Sequence, residues 1–65
     1  MAPHQERVVA ERADLADKTK KLGDFQTGAI FASLPMDEQL RLKKQHGIML
    51  EYLKILDERI YAFPS

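Results

Sequence analysis

Residues 41–63 read RLKKQHGIMLEYLKILDERIYAF (Arg41–Phe63). Leu42, Met49, Leu56 and Phe63 recur every seven residues, and Leu53 and Ile60 stand four beyond Met49 and Leu56. With about 3.6 residues per turn, these six side chains share one helical face. Ile48, Tyr52 and Ile55 widen it to roughly 160° of the wheel, at about 100° per residue. A helix that docks on a single neighbour needs a narrower stripe. This segment therefore predicts a long helix with apolar surface left over.

Pro35 opens that helix, with Asp37 and Glu38 in its first turn, the end of the dipole that favours anions. It is expected to run over about 35–62, and Pro64 bars extension. Gly47 is an interior blemish, worth ~1 kcal/mol against alanine. Upstream, Pro3 suits a first helical turn, and no glycine or proline interrupts Gln5 to Leu22. Val8, Leu15 and Leu22 are spaced by seven, with Val9 and Ala16 beside them. Glu11, Asp14, Asp17, Lys18 and Lys21 are assigned to the opposite, charged face. Gly23 and Gly28 both offer a stop; Phe25 extends the apolar side, so a helix over about 4–27 is expected.

The connection, residues 28–34 (GAIFASL), is apolar for a loop. A short helical turn is expected there, its side chains plugging the end of a hairpin; an exposed tip that meets a partner is the alternative. The fold class is thus all-α: one antiparallel helical hairpin over residues 1–65. Folding about residues 30–31 sets Val8 level with Leu53 or Leu56, Leu15 with Met49 or Gln45, and Leu22 with Leu42.

Sixty-five residues make a marginal core. There is no cysteine to staple it, and the two histidines have no metal-ligand spacing. Oligomerisation into a helical bundle is the remaining support. Its expected interface, also open to another protein, is Ile48, Met49, Tyr52, Ile55, Leu56, Ile60 and Phe63. The formal net charge is zero, which disfavours a general nucleic-acid coat. No apolar run reaches the ~18 residues of a membrane span, and MAPHQERVV lacks the apolar core of a signal peptide. A cytoplasmic protein without membrane contact is expected.

Basic residues gather in two places: Lys18, Lys20 and Lys21 in the first helix, and Arg41, Lys43 and Lys44 in the second, with His46 a turn further on. The fold-back at residues 30–31 would bring them to one level as an anion-binding band. The competing reading is a solvated face. His46 is the one suitable proton-transfer group in the second helix, yet no acid stands three or four residues away to orient it. Ser33 and Ser65 lie in the connection and at the terminus, without a base. No enzyme, metal or cofactor is expected.

The pattern Leu42, Gln45, Met49, Tyr52, Leu56, Arg59, Ile60, Phe63, preceded by Ser33-Leu34-Pro35, resembles that of small helical accessory proteins of tailed phages and prophages. Pro3-His4-Gln5 followed by an acid- and base-rich helix is similar too. The resemblance implies binding to host machinery or host defence, in a host cytoplasm. The leading expectation is an oligomeric interaction or inhibitor module against a host protein. The alternative is a sponge for a phosphate-bearing nucleotide signal, followed by a small nucleic-acid-binding regulator.

Overall fold

The computed structural model describes residues 1–64; Ser65 lies outside them. Three helices follow in order: α1, Pro3–Phe25; α2, Ala29–Ser33; and α3, Met36–Tyr61. α1 and α3 pack against each other as the two arms of the hairpin.

Each boundary has a local cause. At the start of α1 the side chain of Gln5 accepts the Ala2 N–H at 2.8 Å, and Pro3 needs no N–H partner in the first turn. Gly23 does not stop α1. The helix continues to Phe25 with Gln26 as its right-handed cap, slightly short of the expected end. Gly28 instead starts α2 in an extended conformation. Pro35 is the cap residue of α3, and the Asp37 side chain accepts the Glu38 N–H at 3.0 Å.

The expected turn in the connection is α2. Phe31 is buried and meets Phe25 edge-to-face, ring centroids 6.2 Å apart at 81°. Such a pair adds about 0.5–1.5 kcal/mol to the burial itself. Gln39 of α3 reaches back and donates to the carbonyls of Ala32 (3.3 Å) and Leu34 (2.9 Å). These two bonds strap α2 to the start of α3. Ile30 remains exposed and Leu34 is half-buried, so Phe31 is the buried plug of the tip.

The seam between α1 and α3 follows one heptad on each side. Val8, Arg12, Leu15, Thr19, Leu22 and Gln26 face Leu42, His46, Met49, Leu53, Leu56, Ile60 and Phe63; Leu56 is wholly buried. Two of these α1 positions, Arg12 and Thr19, and the cap Gln26 are polar. Thr19 is buried and satisfied by donating to the Leu15 carbonyl at 2.6 Å. Arg12 leaves the seam sideways to Asp57, with Nε–Oδ1 at 2.7 Å and Nη2–Oδ2 at 3.4 Å.

The register differs from the one expected. Arg12 meets Asp57, and Gly23 faces His46. Both pairs are symmetric about a point between Leu34 and Pro35, whereas the Glu11–Tyr52 pair is symmetric about residues 31–32, near the expected fold-back.

The result is a rod, 48 × 14 × 14 Å, with a Cα radius of gyration of 14.9 Å. A compact chain of this length would have a radius of about 11 Å. Among the described residues, Val8, Phe31 and Leu56 are the buried apolar side chains. No described helix is long and apolar enough to cross a membrane.

Candidate functional site: a groove beside Tyr52

Arg7, Glu11, Asp14 and Lys18 stand at intervals of four, three and four residues on α1, which places them on one stripe. Register puts that stripe beside Tyr52 of α3, whose hydroxyl donates to Glu11. The five side chains, with Ala10 and Leu15, line an open groove of about 530 Å³. Glu11, Asp14 and Lys18 therefore flank the seam and do not belong to a remote charged face.

The charges in the groove differ in availability. Among the described residues Arg7 and Lys18 take part in no ion pair, nor do Lys43, Lys44, Lys54 and Arg59, whereas Arg12, Lys20, Lys21 and Arg41 are engaged. Lys20 bonds Asp24 at 3.1 Å and Lys21 bonds Asp17 at 2.9 Å, a contact that holds the Lys21 ammonium above its usual pKa. Arg41 is shared between Glu38 at 2.8 Å and Asp37 at 3.5 Å.

Lys18, Lys20 and Lys21 stand on α1, and Arg41, Lys43 and Lys44 stand in the first half of α3. Lys43 and Lys44 are exposed. His46 is turned into the seam against Gly23. Of the expected anion-binding residues, Lys18 is the one in the groove. Arg7, which sequence reasoning passed over, supplies the second cation. Its four-residue spacing to Glu11 was the available signal.

The expected interface residues divide as well. Leu56 is fully buried inside the hairpin and offers nothing to a partner. Met49, Ile60 and Phe63 are half-buried in the same seam. Ile48, Tyr52 and Ile55 are exposed at 63%, 44% and 50%. They form a second stripe on the flank where Tyr52 meets Glu11. Leu50 and Tyr61 are exposed on α3 outside that stripe, and Ile30, Met36 and Leu40 are exposed near the tip. Among the described residues no group of three or more His, Asp or Glu is placed to hold a metal ion.

The family model named Sequestin matches residues 2–62, nearly the whole chain. The chain belongs to the Sequestin family. The match spans both arms of the hairpin and the tip, so the groove of this Sequestin-family chain lies wholly within it. No curated protein and no solved structure matches the chain.

Proposed function

We propose that this chain acts by holding, in stoichiometric amounts, a small phosphate-bearing nucleotide in the groove beside Tyr52. The family name supports sequestering over conversion. The observation that carries the ligand class is the presence of Arg7 and Lys18, uncommitted to ion pairs among the described residues, beside an exposed tyrosine ring. Cations take the phosphate and the ring takes the base, the combination used wherever proteins grip unpaired nucleotides. A volume near 530 Å³ suits it, since small-molecule sites run from about 300 to 1,000 Å³.

In this reading the chain assembles with copies of itself through Ile48 and Ile55. Burying a large apolar side chain contributes about 1.5–3 kcal/mol, and the two residues straddle Tyr52 on one stripe. A second copy laid there would wall an otherwise open groove and strengthen the electrostatics inside it.

The exposed stripe also favours a second reading: a host protein bound by a phage-type inhibitor. On the sequence alone that reading leads. The uncommitted cations and the family name reverse the order.

The test is calorimetry and thermal melting with a panel of nucleotides. One ligand per groove is expected. Arg7→Glu or Lys18→Glu should weaken binding about tenfold or more, and salt should weaken it further. Absence of any nucleotide binding would sink the sponge. If capture of one defined host protein were abolished by Ile48→Asp, the second reading would stand in its place.

A further inference from the structure

Ion pairs between residues four apart recur along this chain. Lys20–Asp24, Asp17–Lys21 and Asp37–Arg41 are closed. Lys20–Asp24 has its base before its acid, the weaker order on a helix, and closes nonetheless. Arg7 and Glu11 stand in that same order on α1, and among the described residues they are not paired.

The cause lies on α3. The Glu11 carboxylate accepts the Tyr52 hydroxyl through Oε2. With one oxygen tied across the seam, the carboxylate leans toward α3, and its other oxygen does not reach Arg7. Asp14–Lys18 is open too, but the Asp14 side chain has no other partner among the described residues, so a change of rotamer closes that pair. The two cations of the groove therefore differ. Lys18 has an idle competitor one turn away, whereas the competitor of Arg7 is occupied.

We propose that the Tyr52 hydroxyl is a positioning group that holds Glu11 off Arg7 and leaves this guanidinium to the phosphate; this rests on the nucleotide reading above. Ring and hydroxyl then have separate duties. The ring offers its face to the base, while the hydroxyl touches no ligand and acts through Glu11. A guanidinium grips two phosphate oxygens with parallel bonds, which an ammonium does not. The cation kept free is thus the one with a directional hold. Deleting the hydroxyl leaves the ring, Arg7 and Lys18 in place and releases Glu11, which then competes with the phosphate for Arg7 and repels it.

The experiment compares the native chain with Tyr52→Phe, Glu11→Gln and the double variant. The first measurement needs no ligand. Solvent exchange of the Arg7 Nε–H, followed by NMR, should slow about twofold in Tyr52→Phe, as an ion pair of this spacing would cause, and return to the native rate in the double variant. The second measurement is calorimetric titration with ADP at low salt. Tyr52→Phe should bind ADP about twofold or more weakly, and the difference should shrink as salt rises. Glu11→Gln should raise affinity more in the Tyr52→Phe background than in the native one. Tyr52 and Glu11 are both exposed, so the variants should keep their helicity, which circular dichroism checks. Equal gains in the two backgrounds would mean that Glu11 acts by its charge alone and would overturn the role of the hydroxyl. An Arg7 exchange rate unchanged by Tyr52→Phe would do the same, and either result leaves the nucleotide reading standing. Failure of ADP to bind the native chain would overturn the phosphate role of Arg7, and the wider nucleotide panel then decides sequestration.

Discussion

Gly23 of α1 faces His46 of α3 so closely that a Cβ at position 23 would stand 3.1 Å from the imidazole Nε2. The glycine is a packing device, since its φ is not positive and no unusual backbone demands it. Gly47, also inside a helix, has nothing within 4 Å of an added Cβ. Gly47→Ala is therefore expected to stabilise the hairpin by about 1 kcal/mol. Gly23→Ala should gain less or lose, because His46 must move. Denaturant melts of the two variants make the comparison. An equal gain at both positions would show that His46 yields freely.

Arg12 and Asp57 tie the flank of the seam together. The hydrogen bond from Arg12 and its charge hold the Asp57 carboxyl below its ordinary pKa of 3.8, and the guanidinium is raised by the same partner. A depressed folded pKa contributes stability that is complete above the unfolded value and disappears as pH falls through the folded one. Native and Asp57→Asn chains should thus differ in melting temperature near neutrality and converge as pH falls from about 4 downward. A gap that persists at pH 2 would mean the asparagine acts through something other than this ion pair.

Leu56 and the pair Ile48 and Ile55 are expected to fail in different ways. Leu56 is wholly enclosed, so Leu56→Asp places a carboxylate where nothing solvates it and should abolish helicity. Ile48→Asp with Ile55→Asp changes only the exposed stripe. Light scattering on a sizing column should then show mass falling toward the 7.5 kDa of one chain, with any loss of helicity reversed at higher protein concentration. A native chain that already elutes as a cooperatively folded monomer would contradict assembly.

The hairpin was legible in the seven-residue spacing of Leu42, Met49, Leu56 and Phe63 and of Val8, Leu15 and Leu22. Arg12, Thr19 and Gln26 were not, because a polar residue inside a seam leaves no apolar period. Arg12 and Thr19 are accommodated by escape routes, a carboxylate on the other arm and a backbone carbonyl, whereas the Gln26 Nε2 is buried without a partner. Register was read only in part: Arg12–Asp57 and Gly23–His46 lie off the expected fold-back although the short helical turn at the tip was expected. The groove was missed with it. Glu11, Asp14 and Lys18 are charged in any register, so charge alone does not say which of them meets Tyr52.

The strapped tip sets an order of events in folding. Arg12 and Asp57 are 45 residues apart along the chain, and Gly23 and His46 are separated by about half that. Doubling a loop costs about 0.6 kcal/mol in closure entropy, so cross-pairs near α2 close first and the arms zip outward to the termini. Opening runs in reverse. Amide exchange is accordingly expected to be slowest around Leu22 and Leu42 and fastest near Val8 and Ile60, with the groove beside Tyr52 at intermediate protection. A ligand held between Arg7 and Lys18 of α1 and the Tyr52 ring of α3 would then clamp the arms midway along and slow exchange from there to the open end, while the tip, already closed, would barely respond.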